Sequence, residues 1–270
     1  MPTKLFRRGM LLFATLLATL AQADLKLNMT RGVTDISNEV YGLHMLIFWV
    51  CVVIGIIVFG VMGYSIVMHR KSRGAVADNF HESVKVELLW TILPAIVVIA
   101  IGYRAFFTLE KMYDFDDSDM TVEIVGYQWK WRYSYLGGDA AERVTYFSSL
   151  ATPRDQINGL TTKGENYLLE VDEPLVLPIG MKIRFVISSA DVIHSWWVPQ
   201  LAVKKDAIPG IVNESWTHIN EPGTYRGQCT ELCGKDHGFM PIVVEALPQA
   251  EFDTWLAAKK VETRKLAELT

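Results

Sequence analysis

Between Gln228 and Pro241 the chain reads Gln-Cys-Thr-Glu-Leu-Cys-Gly-Lys-Asp-His-Gly-Phe-Met-Pro. Cys229, Cys233, His237 and Met240 therefore fall at offsets of zero, four, eight and eleven residues within one short loop. Two thiolates, an imidazole and a thioether form a soft ligand set, which suits copper and does not suit magnesium or calcium. A loop for a single blue copper ion supplies one Cys, one His and one Met. The second Cys here allows two sulfurs to bridge two ions. A further His must come from upstream. His194, in Asp191-Val-Ile-His-Ser-Trp-Trp, is the best candidate, because it lies between two strand-like runs. Two other readings stay open. In an exported chain two cysteines four apart can close a local disulfide. Zinc fits less well, because Met is a poor zinc ligand and cysteines for zinc are usually spaced more closely. The chain has no Cys-x-x-Cys-His, so no covalently attached c-type haem is expected.

The elements that must position this loop follow from composition. The chain has 270 residues, half of them hydrophobic, and a net charge of −4. That is too apolar for an ordinary soluble domain and too charged for a purely embedded one, so a membrane anchor plus one domain fits. The acidic balance argues against nucleic acid as a partner. Residues 1–23 read as a signal peptide: Lys4, Arg7 and Arg8 lead an apolar core from Met10 to Leu20, and Ala21-Gln22-Ala23 is a small-x-small cleavage site. Removing it takes away basic charge only.

Residues 24–40 form a short polar lead on the outer side. Residues 41–68 are almost wholly apolar and exceed the roughly 20 residues needed to cross a bilayer. Cys51 there is an inert apolar filler, and Gly55, Gly60 and Gly63 would let a neighbouring helix approach closely. Residues 69–86 open on His-Arg-Lys-Ser-Arg, a basic cluster that marks the cytoplasmic side. Residues 87–109 form a second span, kinked at Pro94, with Arg104 snorkelling to the outer interface. Glu110, Asp114, Asp116, Asp117 and Asp119 follow. Residues 110–258 then change to short strand-like runs: Thr121–Val125, Tyr167–Val171, Leu175–Ile179, Lys182–Ile187 and Ile242–Ala246. Turn signals separate them at Gly137-Gly138, Asn158-Gly159, Glu173-Pro174, Pro209-Gly210 and Pro222-Gly223. Many short strands with regular turns predict a β-sandwich or Greek-key barrel. From Ala250 to Leu269 the pattern is that of a charged surface helix, of which residues 259–270 form a tail beyond the domain.

The loop resembles the binuclear copper A motif of subunit II of the haem–copper cytochrome c oxidases, and the resemblance extends over roughly Val40 to Trp255. The phrases Leu-Leu-Glu-Val-Asp, Asp-Ala-Ile-Pro-Gly and His-Gly-Phe-Met-Pro-Ile support it. It implies a two-helix transmembrane hairpin followed by a cupredoxin-like Greek-key sandwich. It also implies that Cys229 and Cys233 bridge two coppers and that His194 and His237 cap one each. Met240 would be a weak ligand to one copper and the Glu231 carbonyl would reach the other. The Glu231 side chain would help hold a magnesium or manganese ion shared with subunit I.

The same resemblance implies other roles. Gly126-Tyr-Gln-Trp-Lys-Trp-Arg-Tyr matches the family's aromatic stretch, with Trp129 where electrons from cytochrome c enter and Trp131 and Tyr133 as packing residues. Lys130 departs from the uncharged aromatic usual there. Asp191 and Asp172 match acidic positions of the docking face for a basic cytochrome; Asp139, Glu142 and Asp155 are further candidates. Glu87 resembles the acid at the mouth of a proton path into subunit I, although a carboxylate at a helix start is favoured by the dipole anyway.

The implied function is that of the electron-transfer subunit of a bacterial aa-type cytochrome c oxidase, an oxidoreductase and translocase. It would take electrons from cytochrome c and pass them to haem in subunit I, where oxygen is reduced to water and protons are pumped. Partners would be cytochrome c and subunits I and III, in the inner membrane with the copper domain on the periplasmic side. A quinol oxidase subunit II would lack the copper ligands. A copper A subunit of another terminal reductase, of the nitric oxide type, remains an alternative. So does a membrane-tethered copper carrier, which should expose its ligands and would need neither Trp129 nor Glu87.

Overall fold

The computed structural model describes residues 28–268, apart from 78, 80 and 138–142 and the side chains of 264 and 266–268. The signal peptide, Gly138, Asp139 and Glu142 lie outside the described residues. The chain divides into two compact units, Met1–Thr30 and Arg31–Thr270, and every element below belongs to the second.

The first apolar run is helix α1, Asp35–Met68. It begins six residues before the expected start at 41, so the supposed polar lead ends in a helical turn. The cause is a reciprocal cap. Thr34 Oγ1 accepts the Ser37 amide at 3.0 Å and Ser37 Oγ accepts the Thr34 amide at 2.9 Å. Gly32 makes room for it, since a Cβ there would lie 2.1 Å from Ser37 Oγ. The second run is α2, Val84–Met112, three residues longer at each end than the expected span. Pro94 sits inside it without ending it. Both helices are long and apolar enough to cross a membrane. A Cβ at Gly55, Gly60 or Gly63 would meet nothing within 4 Å, so α2 does not use that face of α1.

The outer domain is a sandwich of two five-stranded sheets. One has the order β3-β2-β1-β5-β8, the other β4-β10-β9-β6-β7. In the first, β1 is Met120–Tyr127, β2 Lys130–Leu136, β3 Thr145–Ser148, β5 Lys182–Ser189 and β8 Asn213–His218. In the second, β4 is Leu175–Pro178, β6 His194–Val198, β7 Val203–Ala207, β9 Gly223–Cys229 and β10 Pro241–Leu247. Strand β5 alternates strictly, with Ile183, Phe185 and Ile187 buried and the residues between them half-exposed. Trp131, Tyr133, Phe185 and Trp196 fill the space between the sheets and are fully buried.

Two expectations need correction. Tyr167–Val171 is not a strand. Leu168 has φ 61, its amide turns to Thr152 Oγ1 at 3.1 Å, and only Val171 bridges, to Leu150. The boundary at 258 also fails, because one helix, α3, runs unbroken over Gln249–Glu268. It closes the sandwich with Phe252 and with Trp255, whose ring lies 5.5 Å from that of Tyr135. Lys259, assigned to a separate tail, pairs with Glu173 at 3.0 Å.

The helices are fastened to the sandwich at both of their outer ends. Val33 donates to the Gln200 carbonyl at 3.0 Å and accepts from the Asn220 amide at 2.9 Å. Thr34 Oγ1 donates to the Leu201 carbonyl at 3.2 Å. Trp216 Nε1 donates to the Lys111 carbonyl at 3.0 Å, capping the end of α2 from β8.

Candidate metal centre

Two neighbouring strands bring the candidate ligands together. His194 is the first residue of β6 and Cys229 the last of β9, and Trp196 is in register with Cys229. The strands come this close because residue 227 is glycine: a Cβ there would lie 1.9 Å from the Trp197 carbonyl oxygen. A second glycine, Gly126 on β1, lets the opposite sheet close over His194, where a Cβ would lie 2.7 Å from the ring. Trp131 packs edge-on against the same ring, centroids 5.9 Å apart.

Beyond β9 the loop folds back on itself. Thr230 donates its amide to the Ser195 carbonyl at 3.2 Å, and a single tight turn, His237–Phe239, leads into β10. The sulfurs of Cys229 and Cys233 end 3.8 Å apart. A disulfide would need about 2.05 Å, and both thiols are free. Around Cys229 lie His194 Nδ1 at 3.9 Å and the Glu231 carbonyl oxygen at 3.4 Å. Around Cys233 lie His237 Nδ1 at 3.4 Å and Met240 Sδ at 3.5 Å. The six expected positions therefore converge, with a different pair of donors on each sulfur. Ligand atoms of His194, Cys229 and Cys233 all lie within 4.8 Å of one another. His194 is 0% exposed, Met240 1%, Cys233 3% and Cys229 4%; His237 is half-buried.

The electrostatics prepare the site for a cation. Asp191 Oδ1 takes the Nε2 side of His194 at 2.9 Å, which leaves Nδ1 facing sulfur. Burial works against a charged His194, yet contacts with Cys229 and Asp191 raise its pKa. Burial likewise opposes charge on Asp191, but hydrogen bonds from His194 and the Gln128 and Val192 amides lower its pKa. At Cys229 burial is outweighed by its contacts with His194 and the backbone at Ser195 and Glu231, and the pKa falls. At Cys233 burial, then the neighbouring Cys229 charge, push the pKa up to about 12. Two sulfurs, of which Cys229 is the more acidic, and an imidazole held by Asp191 make a soft donor set. The residues present fit copper.

Trp129 is joined to this site. Its Nε1 donates to the Cys233 carbonyl at 3.1 Å, and Gln128 Nε2 donates to the same oxygen at 2.9 Å. The indole is half-buried, and Lys235 Nζ lies 5.7 Å from its ring centroid. Trp131 and Tyr133 pack in the core as expected. The Glu231 side chain is exposed and has no partner among the described residues.

The two proposed docking acids make local hydrogen bonds. Asp191, besides holding His194, accepts the Gln128 amide at 2.7 Å and the Val192 amide at 2.6 Å. Asp172 accepts the Ser149 and Glu173 amides at 2.7 and 2.8 Å. Glu87 stands apart from the metal centre, exposed in the first turn of α2, with Oε1 3.4 Å from the Ser83 amide. Sequence reasoning missed Gly126, Gly227 and Gln128, and it read Asp191 only as a surface charge. The Asp-x-x-His spacing was the available signal for the Asp191–His194 link.

Two family models match the chain, one for the periplasmic domain of cytochrome c oxidase subunit II over residues 120–247 and one for its transmembrane domain over residues 22–109. The "Probable cytochrome c oxidase subunit 2" of Rickettsia felis is 35% identical over 84% of this chain and 69% of its own length. The cytochrome c oxidase subunit 2 of Cyanidium caldarium is 37% identical over 84% of this chain and 88% of its own. Among solved structures, the periplasmic domain of subunit II of the Bradyrhizobium japonicum cytochrome oxidase is 36% identical. It aligns with a TM-score of 0.48, covering 55% of this chain and 99% of that one.

Proposed function

The chain belongs to the cytochrome c oxidase subunit II family, and on that premise we propose that Cys229, Cys233, His194, His237, Met240 and the Glu231 carbonyl hold its binuclear copper centre. The chain is a subunit of a haem–copper oxidoreductase, with two apolar helices and a cupredoxin-like outer domain of the copper A type. One observation carries the ligand assignment: two free sulfurs 3.8 Å apart, each flanked by its own pair of further donors. Bound there, copper supplies a one-electron carrier delocalised over two ions. The protein's part is to hold the sulfurs in place, fix the His194 tautomer through Asp191 and exclude water.

In this reading electrons from cytochrome c enter at Trp129. Its hydrogen bond to the Cys233 carbonyl supports that role by linking a half-buried indole to a ligand backbone. They leave for haem in subunit I, where oxygen is reduced and protons are pumped. The Glu231 carboxylate, without a partner among the described residues, is offered to a magnesium or manganese ion shared with subunit I, since one carboxylate is a typical protein share in such a site. Glu87 lies at the mouth of a proton path, Asp191 and Asp172 belong to the cytochrome docking face, and subunit III completes the complex. The basic cluster at residues 69–73 supports a cytoplasmic connection between the spans, with the copper domain periplasmic in the inner membrane and the signal peptide removed. A copper carrier is disfavoured, because ligands this deeply buried exchange poorly.

The test is an electron paramagnetic resonance and near-infrared spectrum of the copper-loaded oxidase, with oxygen uptake driven by reduced cytochrome c. The native protein should show a mixed-valence two-copper signal, and Cys229→Ser should lose both the signal and nearly all the oxygen uptake. A one-copper signal in the native protein, or undiminished uptake in the variant, overturns the assignment.

A further inference from the structure

The seam between α1 and α2 changes character along its length. At its outer end Glu39 and Gly42 of α1 face Arg104, Thr108 and Lys111 of α2 around a cavity of about 330 Å³. Further in, the same seam opens into a groove of about 780 Å³ whose walls are almost entirely apolar. The two spaces share the same helix rows. On α2, Lys111 and Arg104 line the cavity, and Val97 and Trp90, seven and fourteen residues further along, line the groove. On α1 the row passes from Glu39 to Leu46. Residues seven apart stay on one face of a helix, drifting by only ~20° each time.

Charge at the outer end is unbalanced. Lys111 pairs with Glu39. The Arg104 guanidinium has no partner among the described residues, so the cavity carries one uncompensated positive charge. Arg104 lies eight residues before the end of α2, about 12 Å down the axis. In a helix about 43 Å long crossing about 30 Å of hydrocarbon, that places its Cα just inside the boundary, within snorkelling reach of the phosphate layer.

From this geometry we propose that the seam is a binding site for one anionic phospholipid of the outer leaflet. Its phosphodiester would meet Arg104 in the cavity, and an acyl chain would lie along the groove toward Val97 and Trp90. Arg is well matched to phosphate because its fork offers two parallel donors. Basic pockets between membrane helices bind lipid headgroups for the same reason. A helix from another subunit would have to bring its own carboxylate to bury the Arg104 charge, a requirement that a phosphodiester meets by itself. The site is independent of the copper centre; it rests on the proposed topology, in which both helices span the membrane and the copper domain lies on the periplasmic side.

The purified oxidase is reconstituted in vesicles of phosphatidylcholine alone or with phosphatidylglycerol, and bound lipid is counted by native mass spectrometry after detergent exchange. The native complex should retain one phosphatidylglycerol that resists exchange. Arg104→Gln should weaken its retention by about tenfold or more. Gly42→Leu should do the same by filling the cavity with the charges untouched, and it serves if the Arg104 variant fails to assemble. A Cβ at Gly42 meets nothing within 4 Å, so this change should leave the fold intact. The copper spectrum should be unaltered in both variants. Equal retention in all three proteins, equal retention of phosphatidylcholine, or a photo-crosslinker at Val50 that captures a protein helix and no lipid would each overturn the proposal.

Discussion

At the scale of single residues, the proposed copper ligands divide into those that sit close in sequence and those that do not. Cys229, Cys233, His237 and Met240 lie within one loop, so their types and spacing could be read directly. The residues that make the loop competent come from far away. Trp129 and Gln128 reach the Cys233 carbonyl across about a hundred residues, and Gly126 makes room for His194 from the opposite sheet. No local pattern encodes these partners, because only the closed sandwich brings them together. Asp191 is the instructive case, since an exposed-looking acid also fixes the buried imidazole. Asp191→Ala should leave Nε2 of His194 without its acceptor and free the ring to turn. Loss of such a supporting group typically costs 10–100-fold in metal affinity. Competition titration with a copper chelator should show a drop of about that size. An unchanged affinity, with only slower cytochrome c turnover, would confine Asp191 to docking.

At the scale of elements, legibility followed the burial pattern. Strands β1, β4, β5 and β10 were visible in the sequence as apolar or alternating runs. Strand β6, His-Ser-Trp-Trp-Val, hid because four of its five residues are buried, which erases alternation. Strand β8, Asn-Glu-Ser-Trp-Thr-His, hid because only Thr217 is buried. Both helices were found, but their ends were set by contacts that hydropathy does not register, the Thr34–Ser37 cap on one and Trp216 on the other. The contact between β6 and β9 matters most for function, and a single glycine permits it. Gly227→Ala would place a methyl group where the Trp197 carbonyl now stands, so the strands must separate. Overpacking of this kind typically costs about 1–3 kcal/mol. Because His194 and Cys229 lie on the two strands being parted, copper binding should fall more than stability. Thermal unfolding and the near-infrared spectrum, measured on the same preparation, should show a modest loss in Tm and a severe loss of signal. A full signal with a lowered Tm would mean that the strand spacing does not govern the metal site.

At the scale of the whole chain, electron transfer onward to haem depends on how the copper domain is held relative to the membrane helices. The domain is not tethered by a loose linker. Residues 33 and 34 hydrogen-bond to residues 200, 201 and 220, and the end of α2 is capped from β8 by Trp216. Lys182 adds an ion pair to Asp114 at 3.4 Å, between β5 and the segment that follows α2. These contacts lie outside the copper loop, so they can be weakened without touching a ligand. Trp216→Phe keeps an aromatic ring and removes the indole donor to the Lys111 carbonyl, which then keeps only the Asp114 amide at 3.2 Å. A hydrogen bond of this kind contributes about 1 kcal/mol, enough to loosen the joint and too little to unfold the sandwich. The copper spectrum and the rate of reduction by cytochrome c should therefore be preserved, while the rate of haem reduction after flash injection of an electron should fall. Parallel losses in both rates would place the effect in the copper domain itself. Unchanged rates would mean that the remaining contacts at Val33, Thr34 and Lys182 hold the domain without help from Trp216.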